Sequence, residues 1–292
     1  TMTDTINSMT GFARAEAATA AGTLGFELRS VNHRYLDVQF RMPDALRSFE
    51  PALRRQIGAR LARGKVDCSV SLRRADDEAP AMVLDAALLR RLRDTTRKAE
   101  KLFGEVDEPT ALDLLRWPGV VREESPDEQL DEATLLAALD TALEAMAAAR
   151  AREGAHLATV LRERCDDIER LAGEIRTRRP AVVEAMEARI RQRLDRLDVD
   201  ADPARLETEI VINAQKLDVD EELDRLDGHL AEARRILDTG GPSGRRLDFL
   251  VQEFNREANT IGSKSADADT TRAVVDMKVA IEQMREQVQN IE

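Results

Sequence analysis

The chain has 292 residues and a formal charge of −12, with 34 % charged and only 3 % aromatic side chains. The length suggests about two domains with a substantial core; no run approaches the roughly 18–20 apolar residues of a membrane helix, and the opening TMTDTINSMTGF has no basic region ahead of an apolar one, which argues against a secretory leader. Cys68 and Cys165 lie far apart with no CxxC, which points to reduced thiols in a cytoplasmic protein and excludes zinc sites built on cysteine.

Residues 8–42 read as strands. Phe26, Leu28 and Val31 nearly alternate with polar neighbours, as do Leu36, Val38 and Phe40, and Pro43 closes the last strand. From Asp44 to Leu61, the residues Leu46, Phe49, Leu53, Ile57 and Leu61 share one helical face. KVDCSVSLRR then alternates at Val66, Cys68, Val70 and Leu72, a further strand. The first 75 residues therefore predict a β-β-β-α-β unit.

After an acidic linker at DDEAP the pattern turns helical. Leu84–Phe103 reads as one helix, DLLRWPGVV as a short apolar element, and Leu130–Ile175 as one or two long helices. Pro180 is expected to interrupt, with a helix resuming from Val182 to Leu197, and DVDADP to form a loop. Arg205–Leu237 reads as a single helix, with Leu223, Leu226, Leu230, Ala233 and Leu237 at 3-4 spacing; Val274, Met277, Ile281, Met284, Val288 and Ile291 repeat that rhythm. The fold class is α+β: a small N-terminal antiparallel β/α unit followed by a mainly α-helical body with long packing helices. Expected boundaries are 1–78, 79–204 and 205–292.

Charge is unevenly spread. Between Arg29 and Arg74 there are eleven basic residues and four acids, a local excess of +7 that leaves −19 on the rest of the chain. A basic patch on an acidic molecule can bind polyanions locally; it can equally cover sheet and helix surface and pair with acids elsewhere. With Trp117 and Tyr35 each the only one of its kind, a chain that binds RNA would have to grip it by backbone and shape more than by base stacking.

The last ninety residues carry the richest polar set. Glu222, Arg225, His229 and Glu232 each precede a leucine or alanine of the seam and form a band along its edge. A histidine between two carboxylates can share a metal with them or be oriented by one. In GGPSGRR, Gly240, Gly241 and Pro242 end a helix and Ser243 is placed to cap the next. Arg245 and Arg246 fall in its first turn, where free N–H groups and two guanidinium groups make a phosphate cradle; the bland alternative is that Asp248 or Glu253 neutralises the pair. In the helix itself Leu247, Leu250, Phe254, Ala258 and Ile261 form the buried stripe. Glu253 and Glu257 are one turn apart on its flank, a spacing that can ligate Mg²⁺ or Mn²⁺ and is also common on solvated helices. Gln252, Asn255, Arg256 and Asn259 lie on the other side. Lys264 is a further phosphate ligand or an exposed turn residue.

SMTGFARAE, ELRSVNHRYLDVQFRMP, LARGKVDCSVSLRR, LRWPGVV, ELDRL followed by His229, GPSGRRLDFLVQEFNREANTIGSKS and IEQMREQVQNIE resemble, in the same order, the bacterial YicC/YloC family. Residues 125–200 match only in general character. The resemblance implies a cytoplasmic endoribonuclease linked to stress responses and small-RNA turnover. It also implies a homohexamer around a basic channel that closes on structured RNA, activity with divalent metal ions (Mn²⁺ or Mg²⁺), and contact with other RNA-decay enzymes. It assigns Arg29, Asn32, His33, Arg34, Arg41, Arg63 and Lys65 to an RNA-binding surface, with Asn255, Arg256 and Lys264 joining from the C-terminal third. The expected chemistry is metal-assisted phosphodiester hydrolysis. Glu253, Glu257 and either Glu222 or His229 hold the ion, while Arg245, Arg246 and Lys264 position the phosphate. The alternatives are His229 acting as base on the ribose 2′-hydroxyl, and a non-catalytic adaptor that hands RNA to another nuclease.

Overall fold

A computed structural model describes residues 5–73, 82–104, 110–123, 130–197 and 202–292. The DDEAP linker, Arg74 and residues 198–201 of the DVDADP loop lie outside them.

The expected β-β-β-α-β order is present. Strands β1 (Gly11–Thr19), β2 (Gly22–Val31) and β3 (Leu36–Arg41) come first. A 3₁₀ turn (Asp44–Phe49) then leads into helix α1 (Glu50–Arg60), followed by β4 (Gly64–Arg73). The four strands form one sheet in the order β1-β2-β4-β3. It is mixed, not wholly antiparallel as expected: β3 pairs with β4 in parallel. The reason is the connection. A helix between two neighbouring strands returns the chain to the starting edge, so the second strand runs in the same direction as the first.

The inner face of the sheet carries Leu24, Phe26, Leu28, Val38, Val66, Cys68 and Val70. They pack against Leu53 and Ile57 of α1 and against Leu135, Leu139, Leu143 and Met146 at the start of the long helix α4 (Glu132–Leu197). By register, the outer face carries Arg29 beside Asp67 and Gln39, Lys65 beside Asp37, and Arg41 in line with Ser69 and Glu27.

A small two-stranded sheet, β5 (Met82–Leu84) with β6 (Val121–Glu123), frames α2 (Ala86–Phe103) and the short α3 (Ala111–Leu115). Leu84 is therefore strand, and Asp85 caps α2 by accepting from the Leu88 N–H at 2.9 Å.

Two sequence expectations fail in the helical body. Helix α4 runs 66 residues straight through Pro180. Proline removes one N–H, which here orphans the carbonyl of Arg176, but Pro180 is exposed and water can satisfy it. Arg179 braces the same turn by donating to the Leu217 carbonyl and, at 2.8 Å, to Asp218. Secondly, Arg205–Leu237 is two helices, α5 (Pro203–Lys216) and α6 (Asp220–Thr239). The break falls at Asp218, whose side chain accepts from the Asp220 N–H at 3.0 Å and so starts a new helix instead of continuing the old one.

Helices α6, α7 (Gly244–Lys264) and α8 (Ala268–Val288) pack with α4 around a second core. It contains Leu161, Ile168, Leu226, Leu230, Phe254, Ile261, Met277 and Ile281. Residues 7–9 and 290–292 close the structure. Met9 N–H donates to Asn290 O at 2.7 Å and Glu292 N–H to Asn7 O at 3.0 Å. Buried Arg150 of α4 clamps both segments, donating to the Ser8 carbonyl and, at 2.8 Å, to the Glu292 carboxylate. Gly154, one turn further on, lets the early segment lie on the helix: a Cβ there would sit 2.0 Å from the Ile6 carbonyl oxygen.

Candidate functional site

Helices α6 and α7 form an antiparallel hairpin. The turn between them contains Gly240 and Gly241 at φ 72° and 77°, a backbone that favours glycine. The leucine stripe of α6 and the Leu247–Ile261 stripe of α7 face the core. The residues one step off those stripes meet along the hairpin edge and make a continuous polar seam.

At one end of the seam, Lys264 donates to Glu222 at 2.8 Å. Arg225 lies between Glu222 and Glu257, at 3.7 and 3.5 Å. Next come His229, Glu253 and Glu257, each offering one donor atom, all within 4.8 Å of one another. Among the described residues they are the only such trio of histidine, cysteine or acidic side chains. The His229 ring stands edge-on to Phe254, with centroids 6.3 Å apart and planes at 71°, which limits how it can turn. At the other end Glu232 accepts from Arg235 at 2.6 Å and from Arg246 at 3.1 Å.

Burial gives these charges their weight. Glu222 and Glu257 are each only 4 % exposed. An ionised carboxylate at that depth needs a partner cation. For Glu222, burial is the largest single influence and pushes its carboxyl upward. The Lys264 hydrogen bond, a bond from the residue's own backbone N–H and the charges of Lys264 and Arg225 together outweigh it, and the group lies below its ordinary value of 4.5. Glu232 also lies below 4.5, held there chiefly by hydrogen bonds from Arg235, with Arg246 adding to them against the opposing effect of burial.

The trio suits a divalent ion. An ion bonded at about 2.1 Å to each donor holds neighbouring donors about 3 Å apart, so small side-chain rotations would close the present spacing. Two carboxylate oxygens and one imidazole nitrogen match Mn²⁺ more closely than Mg²⁺, which favours an all-oxygen shell. Glu222 stands outside this set and is engaged by Lys264, whose ammonium is correspondingly committed.

The α7 N-terminus differs from expectation. Ser243 makes no side-chain cap, and its hydroxyl oxygen is buried with no partner among the described residues. The Ser243 and Gly244 N–H groups donate instead to the Glu292 main-chain oxygen at 3.0 and 3.4 Å. Two amides of the anticipated phosphate cradle are therefore already satisfied. Arg246 is neutralised by Glu232, from the other helix, and not by Asp248 or Glu253. Arg245 is exposed and has no acid within ion-pair reach among the described residues. Arg256 is 75 % exposed and 3.8 Å from Glu253, and Asn255 accepts from Asn259 at 2.7 Å.

The N-terminal candidates divide into two places. Arg29, Arg41 and Lys65 lie on the outer face of the sheet, interleaved with Glu27, Asp37 and Asp67. Asn32 and Arg63 reach the C-terminal segment, donating to the carbonyls of Gln289 at 2.7 Å and Ile291 at 3.0 Å. A Cβ on Gly244 would be 3.6 Å from the Arg63 guanidinium, so Arg63 sits beside the turn that carries Arg245 and Arg246. His33 Nδ1 is bonded to the Tyr35 carbonyl at 2.9 Å, and the Arg34 guanidinium lies 5.1 Å above the Tyr35 ring. The sequence placed Arg225 in the polar band but gave it no role; its i,i+3 spacing from Glu222 was the available signal.

Residues 6–159 match the family described as "Endoribonuclease YicC-like, N-terminal region", and residues 175–292 match "Endoribonuclease YicC-like, C-terminal". The chain is 40 % identical over 289 residues to the Haemophilus influenzae protein named "Probable endoribonuclease YicC", covering 98 % of this chain and 100 % of that one. It is 32 % identical over 290 residues to the protein of the same name from Clostridioides difficile, covering 98 % and 99 %. With both halves matched and relatives aligned over nearly their whole length, the chain belongs to the YicC-like endoribonuclease family.

Proposed function

We propose that this chain is an endoribonuclease that cleaves structured RNA by metal-assisted phosphodiester hydrolysis at the α6–α7 seam. The observation that carries the reading is the convergence of His229, Glu253 and Glu257 within 4.8 Å on a protein whose relatives are named endoribonucleases. These three side chains hold the divalent ion, and Mn²⁺ is the better fit. When bound, such an ion supplies Lewis acidity and makes a coordinated water a stronger acid at neutral pH. Arg245, free of acidic partners among the described residues, takes a non-bridging phosphate oxygen. Arg246 does so by leaving Glu232, and Arg63 extends the same basic edge toward the sheet. Guanidinium groups brought to the phosphate stabilise the charge that builds on the phosphorane. The Arg29, Arg41 and Lys65 face grips further phosphates of the same RNA.

The wider setting belongs to the same reading: a cytoplasmic enzyme acting on small regulatory RNA or mRNA, assembled as a homohexamer, serving the stress response and working beside other RNA-decay enzymes. No helix among the described residues is long and apolar enough to cross a membrane.

The test is cleavage of a structured RNA by highly purified protein and by Glu253→Gln, Glu257→Gln and His229→Ala. Loss of activity in all three, abolition by chelator and recovery with Mn²⁺ are expected. Equal residual cleavage in every variant assigns the activity to a contaminant and leaves an adaptor. A 2′,3′-cyclic phosphate on the product assigns the chemistry to the ribose hydroxyl instead of water.

A further inference from the structure

Among the described residues Arg225 is the one cation that touches both buried carboxylates of the seam, and it holds neither tightly. It lies 3.5 Å from Glu257, 3.7 Å from Glu222 and 3.5 Å from Glu221. Lys264, by contrast, is hydrogen-bonded to Glu222 at 2.8 Å. Arg225 is 46 % exposed, so its guanidinium can swing outward, whereas Glu257 cannot follow it into water. A buried carboxylate left with no positive neighbour is strongly unfavourable. Among the described residues Glu257 is beside Glu253 and the uncommitted ring of His229, and Arg225 is the only cation within ion-pair reach of it.

We infer that Arg225 is a resident counter-cation: it neutralises Glu257 when no metal is bound, is displaced outward when a divalent ion takes that carboxylate, and thereby keeps the ion affinity of the seam low. The inference rests on the reading of His229, Glu253 and Glu257 as the ion site. It goes beyond that reading in giving the seam a second occupant and a sign for its effect. A positive charge that competes for a ligand oxygen, and repels the ion from a few ångströms away, must weaken binding. Arg225 is thus a positioning residue, acting through Glu257.

The experiment is Mn²⁺ titration of the full chain at fixed ionic strength, read by the electron paramagnetic resonance signal of free Mn²⁺. Arg225→Gln is expected to bind Mn²⁺ at least about ten-fold more tightly than wild type. Arg225→Lys, which keeps the charge, should stay within about three-fold of wild type. In chelator Arg225→Gln should melt below wild type, and Mn²⁺ should raise its melting point by more. On a Glu257→Gln background the Arg225 substitution should tighten binding by much less, because only repulsion across space remains; an undiminished effect there assigns the whole change to the general field and overturns displacement. If Arg225→Gln does not fold, Arg225→Met removes the same charge while keeping much of the stem's packing. Unchanged or weaker Mn²⁺ binding in the charge-deleted protein overturns the inference while leaving the ion site standing. No Mn²⁺ binding by wild type or variant overturns both.

Discussion

The Lys264 ammonium and the Glu222 carboxylate, 42 residues apart in sequence, meet at 2.8 Å where α7 ends against the start of α6. Glu222 is almost fully buried, and its second oxygen has no hydrogen-bond partner among the described residues. The pair therefore holds the far end of the seam shut through one short contact.

Removing Lys264 alone should be costly. Lys264→Met is expected to lower unfolding free energy by about 2–3 kcal/mol, at or below the lower end of the range for breaking a buried pair because Arg225 remains nearby. Lys264→Met combined with Glu222→Met should recover most of the loss. Urea denaturation of the three proteins gives the comparison; a double variant no better than the single one would count against the pair as the cause.

The same carboxylate predicts an acid limb. Glu222 lies below its ordinary 4.5, so its contribution is fully present above that pH and is lost as pH falls through the lower folded value. The stability gap between wild type and Glu222→Gln should be constant near neutrality and shrink below about pH 4.5. Melting temperatures measured from pH 7 to pH 3 would show it.

Two glycines on one helix should respond with opposite signs. At Gly154 an added methyl would meet the Ile6 carbonyl oxygen at 2.0 Å, whereas at Gly173 nothing lies within 4 Å. Gly173→Ala should stabilise by about 0.4–1 kcal/mol, from the lower entropy of the unfolded chain. Gly154→Ala should destabilise by about 3 kcal/mol or prevent folding, since backbone must move. Thermal melts of the two variants decide it.

Both thiols should be silent in the native protein. Burial pushes Cys68 up to about 12 and Cys165 up to about 11, so neither forms appreciable thiolate at pH 8. A disulfide-exchange reagent should label neither cysteine until denaturant is added, after which both should react.

RNA affinity should fall with salt, and Arg245→Ala should flatten the slope of log affinity against log salt by about 0.7–0.9, the change expected for one lost phosphate contact. Arg63→Ala should lower affinity and stability together, because its guanidinium also holds the Ile291 carbonyl. An unchanged slope for Arg245→Ala would remove that residue from the phosphate path.

What the sequence exposes and what it hides divides along a physical line. Val66, Cys68 and Val70 alternate because one face of β4 is buried, and the Leu247–Ile261 stripe shows because one face of α7 is; both patterns are local. The i,i+4 pair Glu253 and Glu257 is local too. The parallel pairing of β3 with β4, the survival of α4 through Pro180 and the contact of Lys264 with Glu222 depend on partners distant in the chain. The α7 N-terminus departs from its local pattern for the same reason: the Glu292 main-chain oxygen, nearly fifty residues away, occupies the place the Ser243 side chain would have filled.

Helix α4 lends Leu135–Met146 to one core and Leu157–Ile175 to the other, with Arg150 between them. A helix advances about 100° and 1.5 Å per residue. One residue inserted between Met146 and Leu157 would therefore turn the sheet's partner face a quarter-turn out of phase with the hairpin that bears His229, Glu253 and Glu257. Seven residues, close to two full turns, would nearly restore the phase. Along that span the helix works as a gear whose tooth count is fixed, tolerant of exchanged side chains and intolerant of changed length.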